Sequence, residues 1–211
     1  MLLASPVVLA LVAALARGGS LRHLAALPLR GSLFILCSLA LQVALYLPTV
    51  QRSWVAVHWG GEIYVLALAL ALVGALCNWR LGMAVRLATL GLALNALVIV
   101  VNGGSMPVNR AALRAAQGLA RVHEVADAGL YGNTRLATQE GKLLAFSDVL
   151  PLRVPHGPGN VFSLGDILIV LGVATLTYRE TRGRIGATQR AAPGTRTRCR
   201  LDSCPTGDRV P

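Results

Sequence analysis

Five stretches of this chain run almost without a charged side chain, and that feature limits its possible folds more than any motif does. They cover residues 2–16, 31–47, 62–78, 83–101 and 161–178. A helix needs roughly 20 mostly apolar residues to cross about 30 Å of hydrocarbon, with 17 to 25 usual. The first stretch is short, and the others come close to that length. Hydrophobic residues make up 55% of the chain and charged ones 14%, against about 25% charged in soluble domains. The expected fold class is all-α: an integral membrane helical bundle of five transmembrane helices plus one interfacial amphipathic helix.

Arginine placement orients such a bundle. Arg17, Arg22 and Arg30 lie between the first two stretches, and Arg80 and Arg86 flank the short link before the fourth. Eight arginines follow Tyr178, whereas the link between the second and third stretches has only Arg52. The positive-inside rule then predicts an outside N-terminus and a cytoplasmic tail, as five crossings require. Ala14-Leu15-Ala16 resembles a signal-peptide cleavage site, but no basic region precedes the apolar run, so a retained span is expected. Residues 181–211 mix Gly, Pro, Thr and Arg without apolar periodicity and are expected to form a disordered basic cytoplasmic tail. Lys142 is the single lysine among 20 basic residues, and so Arg-, Ala- and Gly-heavy a chain suggests a GC-rich bacterial genome; the expected location is a bacterial cytoplasmic (inner) membrane.

A net charge of +11 would suggest nucleic acid in a soluble chain. No basic-aromatic platform accompanies it here, so no nucleic-acid partner is expected. Four cysteines, two in apolar runs and two in the tail, do not form a zinc or disulfide pattern.

The stretch from Asn102 to about Asn160 is the least ordinary. Apolar residues recur at Val108, Ala112, Ala115, Leu119, Val122 and Ala126, with Arg110, Arg114 and Arg121 on the opposite side. That spacing predicts an amphipathic helix over about 107–127, lying in a membrane interface or against the bundle. Gly118 weakens it by about 1 kcal/mol relative to alanine.

Residues 102–108, NGGSMPV, separate this helix from the fourth apolar run. Gly103 or Gly104 can supply a left-handed cap at the end of that run. Ser105 and Pro107 suit the start of the next helix, and Met106 sits between them. Adjacent glycines also let a ligand or a second helix approach the backbone. In FSLGDI, Ser163 and Asp166 have capping-box spacing, with Phe162 and Ile167 placed as a staple. A carboxylate at the mouth of a span is otherwise read as an ion or proton site. Asn95 is the deepest strongly polar side chain and shares a stripe with Gly91 and Asn102, an arrangement that commonly joins helices by hydrogen bonding. Gly165 allows close helix contact.

His123 and Asp127 stand four apart, with His156 further on, too sparse a set to predict a metal site. Neither a phosphate-binding loop nor a GxSxG or HExxH motif occurs. No catalytic residue, metal or cofactor is expected.

NGGSMPV, NVFSLGDILIVLG and LLAFSDVLPL together resemble an uncharacterised family of small bacterial polytopic membrane proteins, a domain of unknown function. Its members carry an Asn-Gly-Gly-x-Met-Pro turn and a Phe-Ser-(Ile/Leu)-Gly-Asp start to the last span. The likeness covers about residues 1–180. It implies the membrane fold and carries no activity.

The residues therefore favour a non-enzymatic membrane protein that binds a lipid, especially an anionic one, or a membrane protein partner. A small transporter or channel using Asn95, Asn102 and Asp166 is the alternative. A membrane-embedded enzyme would need His123, His156, Asp148 or Asp166 to converge.

Overall fold

The computed structural model describes residues 5–51, 53–128, 133–154 and 157–183. The tail from 184 onward, with Cys199 and Cys204, lies outside them, as does His156. The chain is mostly helical. Helices α1 (Ser5–Ala16), α2 (Leu21–Ala25), α3 (Ser32–Tyr46), α4 (Pro48–Gln51), α5 (Trp54–Cys77) and α6 (Met83–Val101) come first. Strand β1 (Met106–Val108), helices α7 (Arg110–Gln117) and α8 (Leu119–Ala128), and strands β2 (Thr134–Leu136), β3 (Leu150–Val154) and β4 (Gly157–Phe162) follow. Helix α9 (Leu164–Thr181) closes the order. By length and composition, α5 and α6 are long and apolar enough to cross a membrane; α1 and α3 are shorter apolar helices.

Several boundaries differ from the expected ones for identifiable reasons. Helix α5 begins at Trp54 rather than Glu62, because the Ser53 side chain accepts from Ala56 N and caps an earlier start. Helix α3 ends where Leu47 turns extended (ψ 130) ahead of Pro48, a conformation the proline ring favours in its predecessor. The last apolar run loses its first residues to β4, so its helix spans Leu164–Thr181.

The expected single amphipathic helix over 107–127 is two helices, and its first residues belong to β1. Gly118 adopts φ 88 and ends α7. The break turns the buried face: α7 buries Ala112 and Leu113, α8 buries Val122 and Val125, and Leu119 is left 51% exposed. Together with Val108 and Val161 these residues form a small core. The amphipathic face is thus satisfied by the protein itself.

The fold is also not purely helical. Strands β1 and β2 pair in parallel across α7 and α8, with Met106 opposite Thr134. Strands β3 and β4 form an antiparallel hairpin. A parallel bridge between Val108 and Asp148 joins the two pairs. Runs of three to six residues are too short for alternation to betray them in sequence.

In the helical part α6 packs along α9, α5 lies beside α6, α3 against α5 and α1 against α9. The α6–α9 seam is built from small residues, as where backbones approach closely. A Cβ on Gly172 would lie 2.5 Å from the Ala84 carbonyl oxygen. A Cβ on Gly165 would collide with the Asn95 side chain and the Gly91 carbonyl. At the other end of α5, Asn78 Nδ2 donates to the carbonyls of Arg30 and Gly74 while its Oδ1 accepts from Arg30 N.

Gly165→Ala should therefore destabilise the detergent-solubilised chain by at least the ~1–3 kcal/mol of an overpacked core, read as a lower thermal midpoint. Gly60→Ala, with open space around the added carbon, should leave the midpoint unchanged or raise it. Equal behaviour of the two variants would contradict the seam.

Candidate functional site

Of the residues singled out in sequence, Asn95, Ser163, Gly165 and Asp166 meet at one end of the α6–α9 seam. Asn95 Nδ2 donates to Asp166 Oδ1 at 2.8 Å, and Ser163 Oγ donates to Asn95 Oδ1 at 2.9 Å. Ser163 and Asp166 also complete the capping box, Ser163 N donating to Asp166 Oδ2 and Asp166 N to Ser163 Oγ. Ser163 is fully buried and Asn95 is 8% exposed. The polar atoms of this trio are engaged with one another, the state expected of buried polar groups. That makes Asn95 a tie between helices and Asp166 a cap.

One end of the intervening segment hangs from this tie; the other is the Asn102–Val108 corner. Gly104 N donates to Ile99 O at 2.9 Å and Gly103 N to Val100 O at 3.3 Å, with Gly103 at φ 67. These are the two bonds of a Schellman motif, which satisfy the last carbonyls of a helix. Asn102 Nδ2 donates to the carbonyls of Val98 and Lys142, and its Oδ1 accepts from Lys142 N. The amide thus grips a backbone unit 40 residues away as a strand edge would. Gly104 (φ 84) rests on α5, where an added Cβ would lie 2.9 Å from Gly61 Cα.

Ser105, Met106 and Pro107 do not open a helix; they are buried in or beside β1. Met106 N donates to Asn133 O and Val108 O accepts from Ala137 N on one side, while Pro107 O accepts from Asp148 N on the other. On the Asp148 side Pro107 contributes only its carbonyl and Asn109 N supplies the donor, consistent with the proline's lack of an N–H. Asn109 closes the corner by accepting from Ala112 N and capping α7.

Asp148 is the residue that sequence reasoning did not select as part of this corner. Its backbone pairs with β1 on both sides, Asn109 N donating to its carbonyl. Its Oδ1 is buried without a hydrogen-bond partner among the described residues. Burial, aided by the nearby Asp166 carboxylate, pushes its carboxyl up to about 8. It borders a cavity of about 90 Å³ beside Gln117, Thr134 and Asn160. Only a fold that brings β3 to β1 creates this environment, so nothing local could announce it.

The arginines separate into two places. Arg121 pairs with Glu124 at 2.7 Å, a surface ion pair of small energetic weight. Arg110 and Arg114 instead line an open groove of about 940 Å³ with Arg153 and His123. Arg153 is held there by its Nε, which donates to Ala115 O at 2.7 Å. Among the described residues no group of three or more metal-ligating side chains occurs. His123 and Asp148 border different cavities.

A predominantly helical chain, with two helices fit by length and composition to cross a membrane and a small α/β insert tied between α6 and α9, is the class this geometry defines. The chain belongs to a family of unknown function, DUF5317, whose model matches residues 26–178. No curated protein and no solved structure matches it.

Two outcomes test the corner. Gly103→Ala, with open space around its Cβ, should cost only the ~1–2 kcal/mol of a left-handed alanine. Gly104→Ala meets the same strain plus the collision with Gly61, so its thermal midpoint should fall further. Asp148, neutral in the folded chain up to about pH 8, ionises near 4 when unfolded. The unfolded chain alone loses that proton between those values, so stability present at low pH declines as pH rises toward 8. Melting curves from pH 5 to 9 should show the decline, and Asp148→Asn should flatten it.

Proposed function

We propose that this chain is a multi-pass protein of a bacterial cytoplasmic membrane, with five spans, an outside N-terminus and a cytoplasmic tail. In this reading it is non-enzymatic, and its extracytoplasmic insert, residues 102–163, binds a lipid or a membrane protein partner. Support for the membrane part comes from side chains that water would not tolerate in such numbers. Leu9, Leu33, Leu36, Val57, Leu90 and Leu97 are all more than half exposed on successive helices, an apolar surface far beyond the patches of soluble monomers.

The tryptophans agree. Trp54 and Trp59 mark one end of α5 and Trp79 the other. At 1.5 Å per residue, Trp59 and Trp79 stand about 30 Å apart, the thickness that interfacial aromatic belts bracket. Helices α1 and α3 are short for a crossing, and α3 is extended by α4 beyond the Leu47 kink.

The observation that carries the binding role is the groove of Arg110, Arg114 and Arg153. Charged side chains set around an open groove, away from any ion pair among them, fit recognition better than stability. Asn95, Asn102 and Asp166, the residues a transport path would use, are instead bonded to one another or to backbone.

In a variant freed of its four cysteines, Glu140→Cys should react with an impermeant maleimide on intact cells, and Arg182→Cys only after permeabilisation. The reverse pattern would overturn the orientation. Arg110→Glu with Arg114→Glu should weaken crosslinking or lipid co-purification at least tenfold, whereas Arg121→Glu should not.

A further inference from the structure

The groove has a composition that narrows what it can hold. Its basic groups come from separate elements: Arg110 and Arg114 from successive turns of α7, His123 from α8 and Arg153 from β3. Among the described residues no aspartate or glutamate lines it. Three guanidinium groups around one space create a strong demand for an anion, and their planar forks match phosphate oxygens two at a time. The rest of the lining includes Leu119, Val122 and Leu144, so the occupant has an apolar part as well as a charge.

We propose that the groove holds the headgroup of an anionic phospholipid. The phosphate lies among Arg110, Arg114 and Arg153, and the beginning of the acyl chains rests on Leu119 and Leu144. The inference deepens the binding role above and rests on it. Two features favour a whole lipid, one against free phosphate and one against an acidic protein segment. The volume of about 940 Å³ exceeds what a phosphate alone needs, which leaves room for glycerol and the first methylenes. The insert is tied directly to the ends of α6 and α9, which keeps it at the bilayer surface where such headgroups are concentrated. The groove also explains why Leu119, read in sequence as a core-facing residue, is exposed: the Gly118 break delivers it to this wall.

The test uses the full chain, purified in a nonionic detergent and titrated with dioleoyl-phosphatidylglycerol, dioleoyl-phosphatidylcholine or inorganic phosphate, with bound lipid counted by native mass spectrometry. Phosphatidylglycerol should be retained at least tenfold in preference to phosphatidylcholine. Arg110→Gln with Arg114→Gln, both on the exposed face of α7, should abolish that preference without moving the thermal midpoint, and Arg121→Gln should leave it intact. Equal retention of the two lipids, or a preference that survives the double variant, would overturn the proposal. So would inorganic phosphate competing as strongly as the whole lipid, because the apolar wall would then contribute nothing. A photocrosslinker at Leu119 separates the two levels of the reading. A protein adduct lost in the double variant, without lipid preference, would sink the lipid and keep the binding role, and the absence of both would sink both.

Discussion

The amide of Asn95 is the contact on which the arrangement depends. Buried without a partner, a polar group costs several kcal/mol, so the Asn95 amide, 8% exposed, requires a partner that supplies both an acceptor and a donor. Asp166 and Ser163 supply them, 71 and 68 residues away. To reach it, α9 must lie so close to α6 that Gly91 and Gly165 have no room for a side chain. The same two residues cap α9, so one set of bonds fixes the helix start, its depth and its rotation against α6. The seam continues through the close approach of Gly172 to Ala84 and Ala88.

Much of this was legible in the sequence, and the limits have physical causes. The apolar runs located α3 and α6 closely because long stretches without charge leave few other options. The spacing of Ser163 and Asp166 and the paired glycines after Asn102 also announced their caps, since capping is local chemistry. Asn95 was legible as a polar residue on a stripe suited to joining helices, but its partners were not, because they are distant in sequence. Gly118 was read as a weak point in one helix, but its left-handed backbone turns the following helix and exchanges Leu119 and Ala126 for Val125 on the buried face. Asp148 was visible in sequence only as one of several acidic candidates, and its burial was not, because its environment is made by strands of three to five residues that pair across the insert.

The insert shows how a small unit can be stable with a core of a few side chains. Among the described residues its core is Val108, Ala112, Leu113, Val122, Val125 and Val161, too few to hold an insert of this length in place alone. Backbone anchoring supplies the difference. β1 is bonded on both sides, the Asn102 amide holds the Lys142 backbone, and Arg153 reaches across to the Ala115 carbonyl. One of those devices uses a side chain, Arg153, that a count of charges would assign to the surface.

Asn95 and Asn102 lie on the same helix, seven residues and so about 10 Å apart along its axis. One receives the end of the insert through Ser163, and the other secures its interior at Lys142. A body fastened to a rod at one point can swing; fastened at two, it keeps its angle. The insert therefore has no hinge of its own against α6, and any reorientation of the groove has to carry α6 with it or release an amide first.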